Sequence, residues 1–92
     1  MARKQIKNKA QTFSITAPDA MTVTLVGDFT NWQENPIHLK KASGGVWSVS
    51  VPLTPGTHRY RFIVDGQWRE DPACALRAPN PYGSQDSVRQ VA

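Results

Sequence analysis

His58-Arg59-Tyr60-Arg61-Phe62-Ile63-Val64-Asp65-Gly66-Gln67-Trp68-Arg69 is the stretch that decides the fold. In an extended chain successive side chains point to opposite faces. Tyr60, Phe62 and Val64 therefore share one face, and Arg59, Arg61 and Ile63 share the other. Asp65-Gly66 is a two-residue loop signal of the kind that accepts positive φ at both positions, so Gln67-Trp68-Arg69 starts the return strand of a hairpin. The period is two, not 3.6, and the apolar face belongs to a buried sheet.

The same alternation recurs on both sides. Phe13, Ile15 and Ala17 alternate with polar neighbours up to Pro18-Asp19, a strand followed by a turn. Thr22 to Phe29 is β-branched and aromatic, with Val23 and Leu25 on one face, and Ile37 with Leu39 marks a short strand ended by Ser43-Gly44-Gly45. Trp47, Val49 and Val51 alternate with Ser48 and Ser50, which gives a half-buried strand with Trp47 in the core. Pro55-Gly56 fits the middle of a type II turn. Pro72 to Gly83 carries three prolines and one glycine and reads as a long ordered loop, and Ser87 to Val91 as a final edge strand. About seven short strands separated by turns predict an all-β, immunoglobulin-like sandwich without the inter-sheet cysteine pair.

At 92 residues the chain has room for one domain, expected at 11–92 behind a flexible basic arm at 1–10. Its 39% hydrophobic and 20% charged residues suit a globular fold. The net charge of +4 is not spread over that fold. Arg3, Lys4, Lys7 and Lys9 lie in the first nine residues with no acid among them, and from residue 10 seven basic residues face seven acidic ones. Such an arm is read as a solubilising terminus rather than a phosphate-binding one, so no nucleic-acid partner is expected. A single cysteine, Cys74, excludes an internal disulfide, and with only His38 and His58 no metal or other cofactor is expected. There is no apolar run long enough to span a membrane and no signal peptide, so the expected compartment is the cytoplasm.

Catalysis has little to work with. Glu70 and Asp71 are neighbours that would point to opposite faces, whereas a glycosidase pair shares a site at ~5–9.5 Å, so both are read as solvated turn residues. Cys74 has no activating histidine beside it and is read as an inert thiol. The glycines form no phosphate-cradling pattern. The tryptophans say more. Trp32 sits among polar residues in a turn, and Trp68 lies at the hairpin tip. Either both cap the ends of the sandwich or both mark a binding surface. Arg61, on the solvent side of the strand leading to Trp68, favours binding. Flat aromatic faces cover sugar C–H groups, and a guanidinium donates to hydroxyls.

Gly27-Asp28-Phe29-Thr30-Asn31-Trp32, the run from His58 to Trp68, and Asp71-Pro72 together closely resemble the family-48 carbohydrate-binding modules. That family includes the glycogen-binding domain of AMP-activated protein kinase β subunits and the N-terminal early-set domains of isoamylases and glycogen branching enzymes. The resemblance runs from about Phe13 to Val91. It implies a noncatalytic, immunoglobulin-like sandwich that binds α-1,4-linked glucan such as glycogen, starch or maltodextrin. It also implies that Trp32 and Trp68 stack on glucose rings, that Arg61 bonds to sugar hydroxyls, and that Tyr82, Ser84 and Asp86 contribute from the later loop. Three positions depart from the kinase-type pattern. Arg61 stands for lysine and changes the donor geometry. Tyr82 stands for leucine and adds an aromatic platform. Asp86 stands for asparagine and, when ionised, accepts but cannot donate. The implied partners are an α-glucan and a glucan-metabolising enzyme or kinase. The alternative is a protein-docking module on the same sandwich, with sugar binding lost.

Overall fold

The computed structural model describes residues 8–92; residues 1–7, most of the expected arm, lie outside the described residues. Nine strands follow one another: β1 (Lys9–Thr16), β2 (Val23–Gly27), β3 (Ile37–His38), β4 (Lys40–Lys41), β5 (Val46–Leu53), β6 (Gly56–Val64), β7 (Gln67–Arg69), β8 (Arg77–Pro79) and β9 (Gln85–Val91). Among the described residues the helical pieces are three 3-10 turns, Asp28–Thr30, Trp32–Glu34 and Ser43–Gly45. All pairings are antiparallel and form two sheets, β1-β5-β4 and β3-β2-β6-β9-β8, with β7 paired to β6. This is the all-β sandwich that the alternating pattern predicts.

The core lies where the apolar faces meet. Phe13, Leu25, Tyr60 and Phe62 are fully buried, and the rings of Phe13 and Tyr60 meet edge to face at 4.7 Å between centroids. Each such side chain contributes ~1.5–3 kcal/mol by leaving water. In the smaller sheet, eight residues of β1 pair with eight of β5, which sets Ile15 opposite Trp47. Trp47 is 8% exposed and its indole N–H donates to the Ala17 carbonyl at 2.9 Å, so the polar atom of this core ring is satisfied.

Strand β6 is the centre of the larger sheet. Along one side it pairs with β2, from Gly27↔Tyr60 to Val23↔Val64. Along the other it pairs first with β9, up to Tyr60↔Ser87, and then with β7, from Phe62↔Arg69. The chain leaving β7 fills the gap at this change of partner with Asp71. The Tyr60 hydroxyl donates to Asp71 Oδ2 at 2.6 Å, the Ala73 amide donates to Asp71 Oδ1 at 2.9 Å, and the Asp71 amide donates to Ser87 Oγ at 2.9 Å. Burial, followed by the bond to Asp71, pushes the Tyr60 hydroxyl far above its ordinary range and keeps it a donor.

Several expectations change. Asp71 is not a solvated turn residue: it is 4% exposed, while its neighbour Glu70 points away into an ion pair with Arg77. The 72–83 loop contains a strand, β8, because its residues 77–79 pair back onto β9. Strand β9 is consequently no edge strand over Gln85–Ser87, where β8 flanks it. Lys9 and Ala10, placed in the arm by composition, open β1 opposite Leu53 and Pro52. Leu39 is buried but lies between β3 and β4, with its amide bonded to the Val23 carbonyl at 2.9 Å. The β6–β7 turn is as read: Asp65 and Gly66 both take positive φ, +49° and +82°. The Asp65 carboxylate also accepts from the amides of Thr22 and Met21, which hold its pKa below the usual carboxylate value.

Replacing Trp47 by alanine empties a buried site and takes from the Ala17 carbonyl the indole donor, leaving it the Ala20 amide at 3.1 Å. We expect a loss of about 3–5 kcal/mol, read from urea unfolding followed by far-ultraviolet circular dichroism; an unchanged midpoint would remove Trp47 from the core.

Candidate functional site

The turn after β2 is built to hold one indole outward. Gly27 is extended, and a Cβ there would lie 2.5 Å from the Arg59 carbonyl oxygen, so only glycine permits this approach to β6. Asp28 then accepts from the Arg59 amide at 2.9 Å and ties the turn to the same strand. The buried Thr30 hydroxyl accepts from the Gly27 amide at 2.9 Å and donates to the Trp32 carbonyl at 2.8 Å. Asn31 and Trp32 both take left-handed backbone angles, φ +53° and +56°. Asparagine adopts this conformation readily; for a tryptophan it costs roughly 1–2 kcal/mol. That strain is held by the surrounding bonds and gains no burial in the core, a pattern that accompanies functional positions.

Trp68 arrives from the other direction, on β7, directly opposite Ile63. The residue is 40% exposed, and its ring lies 6.4 Å from that of Trp32, centroid to centroid, with 38° between the planes. Two indoles thus form a continuous bent wall rather than caps on the two ends of the sandwich. Arg61 of β6 lies beside Trp68, its guanidinium 5.6 Å from the ring centre, within range of a cation–π contact. It is half-buried rather than free in solvent, and Nη1 donates to Ser84 Oγ at 3.1 Å.

The opposite wall comes from the turn between β8 and β9. Tyr82 stands 90% exposed at its tip, and Ser84 faces Arg61. Asp86, at the start of β9, is almost wholly buried, with Oδ1 accepting from Asn80 Nδ2 at 3.0 Å and Oδ2 lying 3.8 Å from Arg59 Nη1. All six residues singled out in the sequence, Trp32, Arg61, Trp68, Tyr82, Ser84 and Asp86, line one open groove of about 570 Å³. Gln33, Asn80 and Pro81 line it as well and were not singled out. For Asn80 and Pro81 the signal was present: Asn-Pro-Tyr-Gly is a turn sequence in which an asparagine side chain bonds its own backbone two residues on. Gln33 carries no comparable mark.

The groove is suited to a polar, uncharged ligand with flat apolar faces. Its aromatic wall offers area, and its polar residues offer donors and acceptors in close sequence along one side. Cys74 is remote from it in contacts: its thiol lies 3.2 Å from the Val88 carbonyl and 3.3 Å from that of Leu76. Among the described residues no three His, Cys, Asp or Glu side chains cluster as metal ligands would.

Residues 9–91 match the family described as the glycogen recognition site of AMP-activated protein kinase. Protein PTST homolog 2, chloroplastic, of Arabidopsis thaliana is 46% identical over 63 residues, which is 67% of this chain and 12% of that protein. Protein FLOURY ENDOSPERM 6, chloroplastic, of Oryza sativa subsp. japonica is 30% identical over 81 residues, 88% of this chain and 15% of that protein. The 1,4-alpha-glucan branching enzyme GlgB of a Synechococcus strain is 36% identical over 78 residues, 84% of this chain and 10% of the enzyme. The chain therefore spans only 10% to 15% of the length of these relatives. With the match covering both sheets and every residue of the groove, the chain belongs to the family of glycogen-recognition domains described from AMP-activated protein kinase.

Proposed function

We propose that this domain binds α-1,4-linked glucan in the groove between Trp32, Trp68 and the β8–β9 turn, and that it does so without catalysis. The observation that carries the reading is the bent wall of two indoles, 6.4 Å apart and tilted by 38°. An α-glucan is curved, and successive sugar rings meet such a wall face on, whereas a flat, extended chain does not. The family supplies the ligand class, glycogen. The name of the branching enzymes supplies the linkage, since they act on 1,4-alpha-glucan. On this reading the sandwich is of the immunoglobulin-like, early-set kind, and the domain works beside a glucan-metabolising enzyme or within a longer chain that carries one.

The energetics follow from the groove. Covering the aromatic faces yields ~25 cal/mol per Å² of apolar surface. Hydrogen bonds from Arg61 and Ser84 replace bonds to water and add only ~0.5–1.5 kcal/mol each. An open groove with a flexible ligand then binds in the ~µM to mM range. Arg61 sets which hydroxyls are met, while the indoles hold the chain.

Titration with maltoheptaose and with cellohexaose, followed by intrinsic tryptophan fluorescence at two salt concentrations, tests the proposal. Saturable binding of the α-glucan alone, unchanged by salt, is expected because the site is not a phosphate-binding one. Trp32→Ala and Trp68→Ala are expected to remove most of that binding while leaving the unfolding midpoint nearly in place. Binding of maltoheptaose by either variant as well as by the parent would move the site elsewhere. No response to either sugar from the folded parent would leave the protein-docking alternative.

A further inference from the structure

We propose that Asn80 is the positioning residue of the groove: its amide shapes the turn that carries Tyr82 and Ser84, and it turns the Ser84 hydroxyl into a donor towards the ligand. The inference rests on the glucan-binding reading above and goes beyond it by giving each polar atom a direction.

Asn80 Oδ1 lies 3.0 Å from the Tyr82 amide nitrogen and 3.2 Å from that of Ser84. Backbone amides can only donate, so this end of the side chain is the oxygen. The NH2 end therefore faces Ser84 Oγ, at 2.9 Å, and Asp86 Oδ1, at 3.0 Å. One side chain thus bonds four groups of the turn. Ser84 Oγ already accepts from Arg61 Nη1 at 3.1 Å. With Asn80 as its second donor, both lone pairs of the hydroxyl are engaged. Its proton has Asn80 Oδ1 within reach at 3.3 Å, but that oxygen is already shared by two amides. A sugar oxygen in the groove is the better acceptor. Ser84 accordingly presents O–H outward, beside the Arg61 guanidinium, while Asp86 stays buried and holds Asn80 from behind. Arg61 and Ser84 then both offer donors to the ligand, while Asn80, with both ends of its amide engaged inside the turn, holds them in that role.

Asn80→Asp separates the two halves of this role. It keeps the oxygen that the Tyr82 and Ser84 amides need and puts an acceptor oxygen where the NH2 donated to Ser84 and Asp86. Repeating the measurements in a D86N background removes the repulsion between two facing carboxylates. Maltoheptaose titrations of the parent, N80D, S84A and the N80D/S84A double variant form a cycle. Each single change is expected to weaken binding about tenfold, and the double variant to bind about as weakly as the weaker single one, because Asn80 acts through Ser84. The Tyr82 and Ser84 amide signals of N80D should stay near their parental positions in a nitrogen-edited NMR spectrum. Asn80→Ala, which lacks both halves, should displace those signals and bind at least as weakly as N80D. Parental affinity in N80D or N80A, or a double variant whose loss is the product of the single losses, would overturn the role of Asn80. A folded parent that does not bind maltoheptaose is a different result, and overturns the glucan-binding reading on which this inference stands.

Discussion

The buried hydrogen bond from the Tyr60 hydroxyl to Asp71, 2.6 Å long, closes the one place where the larger sheet exchanges partners. Up to Tyr60, strand β6 is flanked by β9; from Phe62 onward it is flanked by β7. A strand cannot leave a sheet in its middle without exposing ladder groups to the interior, and an orphaned buried polar group costs ~1–3 kcal/mol. Asp71 packs into this exchange, taking the buried Tyr60 hydroxyl on one oxygen and the Ala73 amide on the other, while its own amide goes to Ser87. Because the exchange is closed there, β7 can end early and β9 can start from a separate turn. Arg61, between Tyr60 and Phe62, points out of the sheet at the same place. The groove opens over the exchange, with Trp68 from the departing strand on one side and the turn into β9 on the other.

The three tryptophans are placed in two different ways. Trp47 is held by a regular strand pair, and its indole nitrogen is bonded inside the fold. Trp32 sits on a left-handed backbone and is half-buried, and Trp68 lies near a hairpin tip and is 40% exposed. The surroundings of the outer pair are rigid where it matters: Gly27, Asp28 and Thr30 anchor the Trp32 turn to β6, and the β6–β7 hairpin carries Trp68. Preformed walls of this kind reduce the ordering that a ligand must impose on the protein, which matters for a ligand that itself loses freedom on binding.

Much of this was legible in the chain because it depends on local rules. Alternation gave β1, β5 and β6, and Asp65-Gly66 gave the hairpin with its two positive φ values. The six residues that the resemblance picked out meet in one groove. What could not be read is what depends on distant pairing. Arg77–Pro79 has no strand pattern and becomes β8 only because β9 offers it an edge. Asp71 looks like a solvated acid beside Glu70, and its burial follows from Tyr60, eleven residues earlier in sequence, reaching it across the strand exchange. Arg61 sits on the outward face of its strand, as alternation requires, yet Trp68 and Ser84 cover it. Asn80 carried a turn signature, but its double attachment to Ser84 and Asp86 exists only once β9 is in place.

The central claim is that Trp32 and Trp68, and not Trp47, meet the glucan. The three indole N–H signals of a nitrogen-edited NMR spectrum, assigned by single substitution and followed during a maltoheptaose titration, test it directly. The account predicts that the Trp32 and Trp68 signals shift together along one saturating curve, while the Trp47 signal, its proton bonded to the Ala17 carbonyl, stays in place. Movement of the Trp47 signal with the other two unmoved would contradict it.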